Sequence, residues 1–404
     1  MPKVVSKYLI PQFVLAHFSH HVSTGVLVPI LPLLREGFGL NYFQSGVLVS
    51  AFSLSYGIGQ IPMAMLADRF SPRIIILLGL MTVSFTGIAV SLSQTFLQMA
   101  ACFVAMGLIG GTYHAPASSF ISQQLPLEKR GKALGLHVTG GASSFFLTPV
   151  MALGIASLLH SWRSAFFILA LPALLVGAVL WVTTKPSRTP VSRTKDENGP
   201  EGGGTDKASV PEEENVQKTW MQIIHDLGLI VCLTMALWIV FASVNSYLPL
   251  YMVDHHNISP KWAGMVISLI AGASLVGAPV GGALSDKIGR KQVIIFAFCL
   301  SGPFFFAVTK SPYGILLLLS LVFYGLAMSF RMATMESLIA DTVPVGKRST
   351  ALGIYFFLGM ETAGVTTPIV GGLIDKYGLD PVFNILAIGL CGIGVVAFFL
   401  RKRW

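Results

Sequence analysis

Charge is scarce in this sequence. Only 11% of the 404 residues are charged, against about 25% in a soluble domain, and 53% are hydrophobic. Such a balance excludes an ordinary water-soluble fold and places the chain in lipid. Cysteine is nearly absent. Cys102, Cys232, Cys299 and Cys391 stand singly in apolar stretches with no CxxC spacing, which excludes a disulfide framework and a thiolate metal site. No G-x4-GK[ST] loop occurs, and no soluble stretch is long enough to house a nucleotide-hydrolysing domain. Polar residues are too sparse for a Ser-His-Asp or paired-carboxylate arrangement, so no enzyme is expected. No cofactor is expected either. The net charge of +9 does not imply nucleic acid, because the basic residues sit in short loops. No A-x-A-like cleavage site precedes the first apolar run, so no cleavable signal is expected.

What is present is a run of long apolar stretches. A helical span needs about 20 apolar residues, and twelve can be placed: 9–34, 43–66, 74–92, 96–123, 132–158, 164–183, 224–251, 262–284, 292–309, 313–340, 350–374 and 381–400. Lipid offers no partner to free backbone groups, so helices are predicted rather than open strands.

The chain also repeats. Gly282-Ala-Leu-Ser-Asp286-Lys287-Ile-Gly289-Arg290-Lys291 has a weaker copy 218 residues earlier, Ala64-Met-Leu-Ala-Asp68-Arg69-Phe-Ser71-Pro-Arg73. Pro126–Gly135 matches Pro344–Gly353 at the same offset, and Leu31-Pro-Leu33 matches Leu248-Pro-Leu250 one residue short of it. Two half-length units in the same order follow: a six-helix bundle over 1–183, a linker over 184–219 and a second bundle over 220–404. The linker is rich in Gly, Pro, Ser, Thr and both signs of charge, which predicts a flexible segment.

Of the 27 Lys and Arg residues, 21 lie on the surface that carries the termini, the repeated charged loops and the linker; Arg35, Arg163, Lys261, Lys310 and Lys376 lie on the other. The bias predicts both termini in the cytoplasm.

Twelve spans, a parallel six-plus-six duplication and a long central loop resemble the major facilitator superfamily. The loop from Gly282 to Lys291 looks like the signature of that superfamily between spans 2 and 3 and spans 8 and 9. The resemblance implies an all-α membrane protein in a bacterial or archaeal cytoplasmic membrane. Its twelve transmembrane helices form two six-helix bundles around a central cavity lined by spans 1, 4, 7 and 10. It further implies a monomer that moves a small molecule by alternating access. Leu15-Ala-His17-Phe-Ser-His20-His21, Gly110-Gly-Thr-Tyr113-His114-Ala-Pro116 and Gly140-Gly141 are most similar to the fosmidomycin-resistance type of exporter. That group implies an Asn-Asp pair where this chain has His20-His21, and a Glu near Ala117; both acids are absent here.

Ionisable residues inside spans default to function. His17, His20 and His21 share one helical face, and His114, His137, Arg331 and Glu361 lie within spans 4, 5, 10 and 11. Imidazole titrates near neutral pH, so the histidines are candidates for substrate contact or proton coupling; the alternative is a neutral His bonded to a neighbouring carbonyl. HxxHH spacing can also place two imidazoles on one ion, but no carboxylate or Cys accompanies it in sequence, and no metal is expected. Arg331 needs a partner: Glu361, Glu336, or an anionic substrate held by its planar fork. Tyr113, Trp238 and Asn245 are weaker cavity candidates.

The charged loops are expected to gate. Asp68, Arg69, Arg73 and Arg130 in the first half, with Asp286, Lys287, Gly289, Arg290, Lys291, Glu336 and Arg348 in the second, would form a cytoplasmic latch that breaks when the protein opens inward. The intact second loop predicts a stronger latch on the C-terminal side. The leading expectation is export of a small organic compound in exchange for protons. Next comes proton-coupled uptake of an organic anion, then a divalent-metal carrier or a receptor on a transporter frame.

Overall fold

A computed structural model describes residues 8–69, 71–184, 219–344 and 348–401. The linker lies outside the described residues except at its two ends. In the first half the helices are α1 (Leu9–Thr24), α2 (Leu27–Phe38), α3 (Tyr42–Arg69), α4 (Pro72–Leu92), α5 (Phe96–Gly110), α6 (His114–Gln124), α7 (Leu127–Leu158) and α8 (Trp162–Thr183). In the second half they are α9 (Trp220–Asp254), α10 (Pro260–Ile288), α11 (Arg290–Lys310), α12 (Ile315–Thr342), α13 (Arg348–Tyr377) and α14 (Leu379–Leu400). Among the described residues ten rods, with α1 and α2 taken as one, are long and apolar enough to cross a membrane. The helix α3 and the rod α5–α6 bring the total to twelve.

Local chemistry sets the ends. Thr95 and Gln98 close a capping box on α5, and Thr219 and Gln222 close one on α9. Pro72 and Pro260 begin their helices where no backbone donor is needed. Gly289 separates α10 from α11 at φ +102°, a conformation that a side chain would resist. This accounts for a glycine in the second signature loop.

Two rods are broken, both in the first half, where the sequence predicts continuous spans over 9–34 and 96–123. A proline inside a helix lacks a donor for the carbonyl four residues before it and crowds that carbonyl. Pro29 makes this demand at Gly25, where α1 ends. Pro116 makes it at Thr112, in the gap between α5 and α6. At the 218-residue offset these prolines become Tyr247 and Thr334, and α9 and α12 run unbroken.

The halves meet along two seams, α3 against α13 and α7 against α10, with α2 packed on α9 and α10. Each half has its own packed interior. Phe103, Phe166 and Met106 fill the first; Phe298, Phe305, Tyr324 and Phe383 fill the second. Large apolar side chains such as Leu158, Val182 and Phe399 point outward, as lipid-facing residues do.

Candidate functional site

The histidines are the first feature the breaks position. His21 sits in the last turn of α1 with His20 just before it, and His114 is the first residue of α6. His17 lies one turn further back on α1, and His137 comes from α7. All five rings gather into one cluster. Ring centroids lie 4.3 Å apart for His17–His137, 4.9 Å for His17–His21, 5.1 Å for His17–His114 and 5.0 Å for His21–His114. Tyr113 joins it, 5.1 Å from His20, with its hydroxyl 3.1 Å from His137 Nε2. His17 Nδ1 donates to the His137 carbonyl oxygen at 2.8 Å, and His20 Nε2 donates to the Gly110 carbonyl oxygen at 2.9 Å. The carbonyls fix the donor nitrogen on each ring. His20 therefore satisfies a carbonyl at the break in span 4, which is the structural role weighed for it, while its buried Nδ1 has no partner.

Arg331 lies in α12 of the other half. It is the largest fully buried side chain in the described residues, 1% exposed. Its Nη1 donates to the Tyr355 hydroxyl at 3.2 Å, and its guanidinium carbon stands 5.5 Å from the centre of the Trp238 ring. Neither Glu361 nor Glu336 forms an ion pair with it among the described residues. Arg331 Nε is buried with no partner, and so are Trp238 Nε1 and the Tyr324 hydroxyl. Buried polar groups are normally satisfied. Two of these three are donor-only, and the third can donate.

Glu361 projects from α13 onto the α3 seam. Its Oε1 is buried without a partner, and a methyl group on Gly57 of α3 would fall 1.8 Å from that oxygen. One turn along, the Ser50 hydroxyl of α3 donates to the Gly364 carbonyl oxygen at 2.6 Å. The carboxyl therefore rests between the halves. Glu336 is only half-buried and makes no ion pair among the described residues.

At the face that carries the termini, Arg290 holds Asp286 at 2.5 Å, Asp341 at 3.1 Å and the Ser285 hydroxyl at 2.5 Å. Asp341, rather than Glu336, completes this described cluster, and all of it belongs to the second half. Lys287 and Lys291 beside it make no ion pair among the described residues. In the first half Arg73 donates to the Trp181 carbonyl oxygen and stacks on the Trp181 ring at 4.3 Å, tying α4 to α8. The side chains of Asp68, Arg69, Arg130 and Arg348 lie outside the described residues.

The halves are fastened at the opposite face, where the sequence had suggested nothing. Arg35 at the end of α2 pairs with Asp254 at the end of α9 and covers the Tyr42 ring at 4.0 Å. Tyr42 donates its hydroxyl to the same Asp254 carboxylate at 2.6 Å. Asp375 of α13 caps α3, accepting the backbone N–H groups of Tyr42 at 2.9 Å and Phe43 at 2.8 Å. An anion there also meets the positive end of the helix dipole. The Tyr247 hydroxyl lies 2.8 Å from the Thr367 carbonyl oxygen and 3.1 Å from that of Tyr42. Arg35 and Asp254 are 219 residues apart, so they fall within two residues of equivalent positions in the two halves. Opposite charges at nearly equivalent helix ends were the available signal. Nearby, His255 meets Asp380 at 2.6 Å, and burial beside His255 pushes His256 down to about 4, leaving it neutral at ordinary pH.

A twelve-rod bundle made of two like halves, with ionisable groups buried in both, matches a known sequence pattern along nearly its whole length. The family model described as "Major Facilitator Superfamily" matches residues 13–277 and 240–403. The chain belongs to the Major Facilitator Superfamily. It is a multi-pass membrane transporter rather than an enzyme. It is 24% identical to a probable sulfoacetate transporter of Cupriavidus necator, over 95% of this chain and 90% of that one. It is 23% identical to the fosmidomycin resistance protein of Escherichia coli K12, over 96% and 91% of the two chains. A crystal structure of a bacterial homolog to the human lysosomal transporter Spinster, inward-facing and occupied, superposes with a TM-score of 0.81 at 18% identity, covering 98% and 97% of the two chains. The likeness covers the superfamily fold that the duplicated signature loop implied.

Proposed function

We propose that this superfamily member takes up a small organic anion together with a proton, by alternating access. The observation that carries this is Arg331, a permanent cation in a span with no ion pair among the described residues and with unpartnered Trp238 Nε1 and Tyr324 hydroxyl groups in the same region. Such donors are satisfied by a ligand rich in acceptors. A carboxylate or sulfonate has them, and a planar guanidinium can bind either through two parallel hydrogen bonds. The name of the sulfoacetate relative points to the same substrate class.

Glu361 is the group for the proton. It lies at the seam whose opening and closing defines the cycle, with no cation paired to it among the described residues. Because Arg331 and Glu361 are separate, anion and proton do not compete for one group. Both can be aboard at once, which favours symport over the exchange expected of an exporter. With the terminal face in the cytoplasm, the latch of Arg35, Tyr42, Asp254 and Asp375 closes the outer side.

Proteoliposomes test this. An inward proton gradient is expected to accumulate a labelled organic anion such as sulfoacetate. Glu361→Gln is expected to abolish accumulation while leaving binding within about three-fold, since a neutral group of like shape replaces the carboxyl. Gradient-driven accumulation at the wild-type level in Glu361→Gln would rule out Glu361 as the proton carrier.

Gating at the cytoplasmic face is assigned to Asp286. In Asp286→Asn, Arg290 keeps Asp341 but loses one of its two carboxylates. Exchange between states is expected to slow several-fold, with substrate affinity unchanged, because an exposed pair contributes only about 0–1 kcal/mol. Stopped-flow accessibility of a reporter at the cytoplasmic face measures this; unchanged exchange kinetics would remove Asp286 from the gate.

A further inference from the structure

The histidine cluster has a geometry that anion transport does not call for. We propose that His17, His21 and His114 bind a divalent transition-metal ion of the zinc type within the first half of the protein. Their ligand nitrogens all lie within 4.8 Å of one another. HxxHH in one helix offers two of them; the break at Pro116 brings the third to the start of α6.

The tautomers agree with this. His17 donates its Nδ1 hydrogen to the His137 carbonyl, which leaves its Nε2 lone pair free. Metal-bound imidazoles are characteristically oriented by such a hydrogen bond from the second ring nitrogen. His20 repeats the pattern, with Nε2 committed to the Gly110 carbonyl and a buried Nδ1 lone pair that has no partner. Its ring stands 5.1 Å from His21 and 5.3 Å from His114, adjacent to the three ligands. The facing helix carries no side chain at this point. A methyl group on Gly141 of α7 would fall 2.7 Å from His17 Nε2 and 3.1 Å from the His21 ring, so any side chain there would crowd the ligand rings.

The donor set selects the ion. Imidazoles without thiolate or carboxylate suit zinc, copper and nickel rather than magnesium or calcium. Three protein ligands leave a tetrahedral ion one open position. Neutral imidazoles also leave its charge uncompensated, so an anion is the expected fourth ligand. The metal site stands whether or not Arg331 contacts substrate.

Cobalt(II) reports the site directly. Full-length protein, purified and stripped with chelator, is titrated with cobalt(II) and then challenged with zinc. The expected result is a visible absorption band of four-coordinate cobalt that zinc displaces, together with a zinc-induced rise in melting temperature. Both are expected to be lost in His21→Ala and His114→Gln and kept in a His255→Ala/His256→Ala variant, which removes the half-buried pair at the outer face. In case the cluster variants do not fold, the wild type is modified with diethyl pyrocarbonate with and without zinc. Zinc is expected to protect His17, His21 and His114 but not the exposed His225. A cobalt band that survives in both cluster variants, one that disappears in the His255/His256 variant, or equal labelling of all four histidines with and without zinc would overturn the proposal.

Discussion

Arg331→Ala is expected to weaken organic-anion binding by about a hundred-fold, and Arg331→Lys by about ten-fold. Removing one member of a buried, hydrogen-bonded charge pair costs several kcal/mol, and about 3 kcal/mol corresponds to roughly a hundred-fold in Kd. Lysine keeps the charge but loses the fork that holds two oxygens at once. Folding should suffer less than binding. Arg331 has a single hydrogen bond in the described structure, to Tyr355, and alanine removes a buried cation that has no ion pair among the described residues. Calorimetry with a sulfonate or carboxylate ligand, alongside the melting temperature of each variant without ligand, separates the two effects. Lost binding with an unchanged melting temperature is the expected pair of results.

The second large effect concerns the outer latch. Asp254→Ala combined with Asp375→Ala removes the acceptor for Arg35 and Tyr42 and the cap on α3. A charge-assisted hydrogen bond contributes about 1.5–3 kcal/mol and an N-terminal cap about 1 kcal/mol. Discounting the exposed Arg35 pair, the closed outer face should lose about 2 kcal/mol. That is roughly a thirty-fold shift toward the outward-open state. Spin labels at Leu159 and Tyr313, exposed at this face in opposite halves, would show a longer distance gaining population in the double variant. An unchanged distance distribution would mean that the α3–α13 seam, rather than the polar latch, keeps the outer face shut.

The fold was legible because lipid restricts the options. Long apolar stretches could only be helices, and the 218-residue offset exposed the duplication. The helix breaks were less so. Pro29 and Pro116 were visible, but prolines also sit within unbroken helices here: α9 contains Pro249 and α10 contains Pro279. A proline alone therefore does not mark where a rod breaks.

The site divides the same way. His17, His20, His21, His114, His137, Arg331 and Glu361 stood out because ionisable groups in lipid are expensive. Their partners did not, because those are tertiary facts. HxxHH showed two ligands, and the third came from a helix about ninety residues away. Arg331 and Glu361 looked like a pair, yet α12 and α13 direct them to different neighbours. The latch was missed because Arg35, Asp254 and Asp375 read individually as ordinary loop and helix-end charges.

The most direct test of the central claim is binding of matched ligands to the purified protein. Sulfoacetate and a sugar acid are compared with their uncharged amides by calorimetry, in wild type and Arg331→Lys. The account predicts that the anions bind the wild type, that the amides bind at least ten-fold more weakly, and that Arg331→Lys narrows the gap. Equal binding of anion and amide, or a charge preference that Arg331→Lys leaves intact, would contradict it.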